Sequence, residues 1–114
     1  MEYFSFTETD KFRIKAARLI GEDEIAEVQV LLCGHPKDGA VIPASGGIRK
    51  LRWSASGHGK RGGARIRYYF AFSEDRIILL DIYAKNKKSD LTKDELKDLR
   101  TTVDAWLRQI LKPS

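Results

Sequence analysis

Cysteine is nearly absent from this 114-residue chain: Cys33 stands alone, so no internal disulfide can form. With His35 and His58 the only histidines, the ligand set of a structural zinc site is missing, and no metal or other cofactor is expected. No apolar run approaches the roughly 20 residues needed to cross a bilayer. The first residues, MEYFSFTETD, carry acids where a secretory signal would carry bases, so the expected location is the cytoplasm, with no membrane partner. Paired carboxylates in a basic setting are absent, no nucleophile motif surrounds Ser54 or Ser56, and Cys33 falls in an apolar helical run. Those absences exclude the common carboxylate, serine and cysteine hydrolase designs. Acid itself is missing from one long stretch, for none occurs between Asp38 and Glu74.

What fills that stretch is cation and glycine. Between Gly46 and Tyr69 lie seven Lys/Arg residues: Arg49, Lys50, Arg52, Lys60, Arg61, Arg65 and Arg67. The chain as a whole carries a formal charge of +5. A basic balance steers toward polyanions without dictating a fold. At this length one domain, residues 1–114, with a modest core is expected.

Periodicity sketches the elements. Phe4 and Phe6 alternate in a short first strand. Thr7 or Thr9 can then cap a helix carrying Phe12, Ala16, Leu19 and Ile20, with Gly21 as its C-cap. Glu22, Asp23 and Glu24 suit the first turn of a second helix, whose stripe is Ile25, Val28, Leu31 and Leu32. Gly34-His35-Pro36 ends it, and residues 37–47 read as a connection into the sheet. Three strands follow, about Ile48–Ser54, Ala64–Phe72 and Arg76–Ala84, the last two joined by a tight turn. Thr92 and Glu95 have the spacing of a capping box, followed by a stripe from Leu96 through Trp106 to Ile110.

Alternation sorts the strand side chains. Leu51 and Trp53 oppose Lys50 and Arg52, while Ile66, Tyr68 and Phe70 oppose Arg65, Arg67 and Tyr69. Ile78, Leu80, Ile82 and Ala84 oppose Asp81, Tyr83 and Lys85. If the apolar sides pack on helices, the other face of the sheet is a cationic platform bearing two tyrosines. Such a platform suits RNA. Metal-free cleavage needs a base for the ribose 2′-hydroxyl, an acid for the departing 5′ oxygen, and cations on the phosphorane between them. Arginine matches phosphate with a planar fork, and a lysine crowded by arginines loses proton affinity in principle. Tyrosine offers a face on which bases stack. A solvated face populated by chance with Lys and Arg is the bland alternative. The loop at 54–63 reads either as a flexible connection or as a phosphate contact through Lys60 and Arg61. It is not a Walker loop, and His58 reads as a loop residue.

Three ordered motifs carry a resemblance. Gly-Gly-Ile-Arg-Lys-Leu-Arg-Trp (46–53), Gly-Lys-Arg-Gly-Gly-Ala-Arg-Ile-Arg-Tyr-Tyr-Phe (59–70) and Leu-Leu-Asp-Ile-Tyr-Ala-Lys-Asn (79–86), followed by Ser-Asp-Leu-Thr (89–92), resemble the RelE/HigB toxins of type II toxin–antitoxin modules, the HigB-like branch most closely. The resemblance implies a small α+β fold. In it, an antiparallel sheet of about four strands packs under two N-terminal helices and is followed by a C-terminal helix. It implies a metal-independent endoribonuclease that cleaves mRNA, usually on the ribosome.

Lys50 and Arg52 match the basic pair of the first central strand, Arg65 the arginine on the scissile phosphate, and Lys85, with Asn86, the basic position after the last strand. Lys50 and Lys85 are therefore the acid–base candidates, with Arg52, Arg65 and Arg67 as electrostatic stabilisers. Arg49, Lys60, Arg61, Arg67, Tyr69, Tyr83 and Asn86 are candidate RNA contacts. Asn86 stands where some relatives carry arginine, and no tyrosine follows Leu91. Expected partners are mRNA, a cognate antitoxin and, through the antitoxin alone, operator DNA. A ParE-like gyrase inhibitor and a non-catalytic nucleic-acid-binding module remain as alternatives.

Overall fold

Two nine-residue runs rich in β-branched and aromatic side chains form the centre of the molecule: β4 (Gly63–Ala71) and β5 (Arg76–Ala84). A 3-10 turn over Phe72–Glu74 joins them, closed by Asp75 at φ 51°. A computed structural model describes residues 4–54, 63–87 and 91–111. Around the central pair it places β1 (Ser5–Glu8), α1 (Asp10–Leu19), α2 (Gly21–Gly34), β2 (Ala40–Val41), β3 (Arg49–Ser54) and α3 (Lys93–Ile110). The sheet order is β1-β5-β4-β3-β2, with β1 parallel to β5 and every other pair antiparallel. The α+β class is as expected. The sheet has five strands instead of about four because Ala40 and Val41 pair with Lys50 and Arg49 inside a stretch that reads as a connection.

The helices start where side chains can satisfy their free amides. Thr9 caps α1, accepting from the Phe12 amide at 3.0 Å, and its hydroxyl donates to the Leu80 carbonyl at 2.8 Å. Thr7, the other candidate, instead accepts from the Trp106 indole at 3.1 Å. Gly21 does not close α1; Ile20 does, and Gly21, at φ 81°, opens α2. Glu24, in the acidic first turn of α2, accepts from the Trp53 indole at 2.9 Å. Both halves of the Thr92–Glu95 capping box are formed.

Apolar side chains cover both sheet faces. On one, Phe12 and Ala16 of α1 and Val28 and Leu32 of α2 pack against Leu51, Trp53, Ile66, Tyr68, Leu79 and Ile82. On the other, Val103 and Trp106 of α3 pack against Ile48, Ala71, Ile78 and Leu80. Ile78, Leu80 and Ile82 therefore do not share a face. Opposite β4, Arg67 meets Asp81 but Tyr68 meets Leu79, so Leu80 is an extra residue on β5. This bulge reverses the alternation along the strand, sending Ile77 and Leu79 toward α1 and α2, and Ile78 and Leu80 toward α3. Sequence alternation alone cannot register an inserted residue.

Candidate active site

On the α3 side of the sheet, apolar packing ends at Leu80, and beyond it the pairing register lays out polar rows. Lys50 stands opposite Arg67, and Arg67 opposite Asp81. In the next row Arg52 stands opposite Arg65, and Arg65 opposite Tyr83. Ser54 pairs with Gly63 in the row after that. There a Cβ added to Gly63 would lie 2.5 Å from Cδ and 3.1 Å from Cγ of Lys85. The Lys85 stem thus crosses β4 on the same face as Arg65, in space that the absent glycine side chain leaves open. Its own backbone amide donates to the Gly63 carbonyl at 3.1 Å.

Charge is distributed unevenly over these rows. Arg67 is 7% exposed, and its Nη1 donates to Asp81 Oδ2 at 3.0 Å. Asp81, 3% exposed, also accepts from Lys15 Nζ at 3.0 Å and the Ile82 amide at 2.8 Å, with Lys11 Nζ at 3.8 Å. Arg67, expected as an electrostatic stabiliser and RNA contact, is thus buried and paired with a carboxylate. Its burial and its carboxylate partner commit it elsewhere. Arg52 is exposed, while Lys50 and Arg65 are half-buried. Among the described residues no carboxylate pairs with any of these three. Like charges directly opposite on paired strands destabilise a sheet, and Arg52 and Arg65 are such a pair.

The two tyrosines are not open stacking surfaces. Tyr69 packs into the α3 cluster, with the Arg100 guanidinium 5.8 Å from its ring. Tyr83 is 7% exposed, covered by the Arg67 guanidinium at 4.3 Å. Rings on this face pair with the apolar helix or with a cation before any base can reach them. Arg49 stands opposite Tyr68, on the α1–α2 side, where Nη1 donates to the carbonyls of Gly39 at 2.7 Å and Lys37 at 3.1 Å. It is thus away from the platform, since the odd positions of β3 face the core. Asn86 is exposed in the turn after β5. Lys60, Arg61 and His58 lie outside the described residues.

Three participants escape sequence reading. Lys11 and Lys15 reach Asp81 from α1, a contact that a distant helix reveals only once folded. Gly63 reads as one more loop glycine, and nothing in one sequence marks the space it leaves.

No protein-family model matches the chain. Among solved structures, an arginine-to-alanine double mutant of Escherichia coli toxin RelE in the free state superposes with a TM-score of 0.55 at 14% sequence identity. The match covers 90% of this chain and 98% of that one. The five-stranded mixed sheet, with two helices on one face and one on the other, is therefore built on the RelE fold.

Proposed function

We propose that this protein is the toxin of a type II toxin–antitoxin module of the HigB-like branch, and that it cleaves mRNA on the ribosome without metal. The observation that carries this proposal is the layout of Lys50, Arg52–Arg65 and Lys85 on three successive rows of one half-face. Alternate residues of a strand stand about 6.7 Å apart, so two lysines flank an arginine pair on either side. Cleavage by in-line attack has the same layout. The 2′ oxygen enters on one side of phosphorus, the 5′ oxygen leaves on the other, and charge accumulates between them. Arg52 and Arg65 hold the non-bridging oxygens of the phosphorane. Lys50 and Lys85 handle the two protons, one as base and the other as acid. Arg67 and Asp81 brace the row beneath. The uncompensated Arg52–Arg65 pair, a cost to the free protein, becomes favourable once a phosphate lies between the two.

A cytoplasmic antitoxin that covers the platform, acidic where it meets Lys50, Arg52 and Arg65, is the expected partner. Operator DNA would be reached only through that antitoxin. Induced expression in a bacterial host, with mapping of mRNA 5′ ends, tests the proposal. New ends within coding regions are expected from the wild type and not from an Arg65→Ala, Lys85→Ala double variant. Growth arrest with intact mRNA and damaged DNA would overturn it in favour of gyrase inhibition.

A further inference from the structure

Beside the platform lies a cavity of about 490 Å³, between the start of α1, the end of β5 and the first half of α3. Its volume falls within the range of sites that hold small organic groups. Arg67 and Tyr83 belong both to its lining and to the platform rows, so it adjoins the place where Arg65 would hold a phosphate. Leu80 and Leu99 give it apolar surface. One wall donates: Lys11 and Lys15 share the single carboxylate of Asp81 and keep further N–H groups. The opposite wall accepts, through Glu95 and Asp98 of α3. Glu95 is committed to the Thr92 amide, whereas Asp98 is exposed and its carboxylate makes no ion pair or side-chain hydrogen bond among the described residues.

A second phosphate does not suit this cavity, because Glu95 and Asp98 would repel it. A group with acceptors on one edge and donors on another does. We propose that the cavity is a nucleobase subsite that takes guanine from the strand whose phosphate lies on Arg65, a proposal that rests on the RNA-cleaving role argued above. Guanine puts two adjacent donors, N1–H and the N2 amine, toward the Asp98 carboxylate. Its O6 and N7 acceptors then face Lys11 and Lys15. Single-stranded RNA is commonly read in this way, with a base splayed from the strand and bonded at its edges.

The test uses a fluorescent hexamer of 2′-O-methyluridine, which cannot be cleaved, with one central guanosine, inosine or abasic residue. Binding is followed by anisotropy at low salt. Inosine lacks only the N2 amine, so the wild type is expected to bind the guanosine probe about tenfold more tightly, the scale of one bidentate contact. Asp98→Ala, an exposed helical change compatible with folding, is expected to abolish that ratio and leave abasic binding unchanged. Arg65→Ala is expected to weaken all three probes alike. Equal binding of guanosine and inosine by the wild type, or a ratio that survives in Asp98→Ala, would overturn the subsite and leave the nuclease proposal standing. Failure of the wild type to bind any probe would also overturn the subsite, while the ribosome-dependent cleavage proposal is decided separately by the mapping of mRNA 5′ ends.

Discussion

Tyr68 illustrates how a single polar atom ties the sheet to a loop. Its ring is fully buried, and its hydroxyl accepts from the Gly39 amide at 2.9 Å and donates to the Pro36 carbonyl at 2.8 Å. Tyr68→Phe leaves both backbone groups unsatisfied and is expected to cost about 1–3 kcal/mol in denaturant unfolding. Burial, the largest influence, raises the phenol above its ordinary 10.0, opposed by the Gly39 bond and the Arg49 charge. A folded pKa above the unfolded one stabilises the native state fully below about pH 10 and loses that contribution as pH rises through the folded value. The wild-type unfolding midpoint should thus fall above about pH 10, and that fall should be shallower in Tyr68→Phe. Asp81 matters through charge. Asp81→Ala strands the buried Arg67 guanidinium and is expected to destabilise by about 3 kcal/mol or more at neutral pH. Gly63 acts through the space it leaves. A methyl there meets the Lys85 stem, so Gly63→Ala should change the melting temperature little while lowering the cleavage rate on ribosomes, by up to about 100-fold if Lys85 moves by an ångström. Unchanged cleavage in Gly63→Ala would remove Lys85 from the chemistry.

The elements divide by how local their signals are. The α3 capping box was legible because Thr92 and Glu95 hold a fixed spacing, and each accepts from a backbone amide of the other. Thr92→Ala should lower stability by about 1 kcal/mol in equilibrium unfolding. The stripes of α1 and α2 were legible for the same reason, since Phe12, Ala16, Val28 and Leu32 repeat with the helical period and are fully buried, whereas Leu19, read into the α1 stripe, is exposed. The β5 bulge and the two-residue β2 were not. A bulge is a disagreement between two strands, visible only when both are paired, and β2 owes its existence to Lys50 and Arg49 rather than to its own residues. Alternation still placed Lys50, Arg52, Arg65 and Tyr83 on one face, because β3 and this end of β4 keep their register. What it could not supply was the cover over that face. α3 lies on half of it, and Arg67 closes over Tyr83.

In the molecule as a whole, the division of one sheet face sets what the protein can do. One half, around Val103 and Trp106, is apolar core. The other half carries Arg52, Arg65 and Lys50 without carboxylate partners among the described residues. Charge along the chain already pointed there, since the acid-free interval from Asp38 to Glu74 holds β3 and all of β4. The contribution of Lys11, Lys15 and Gly63 could emerge only in three dimensions, because the two lysines act on Asp81 from a helix far away in the sequence and Gly63 acts through an absent side chain. No helix among the described residues is long and apolar enough to cross a membrane. The most direct test of the platform is the chemistry of the ends it leaves. Wild-type protein added to translating ribosomes should yield mRNA fragments with 5′-hydroxyl ends, the signature of 2′-hydroxyl attack. Arg65→Ala, folded by circular dichroism, should cut about 100-fold more slowly or worse. Equal cleavage by Arg65→Ala, or fragments with 5′-phosphate ends, would contradict the account.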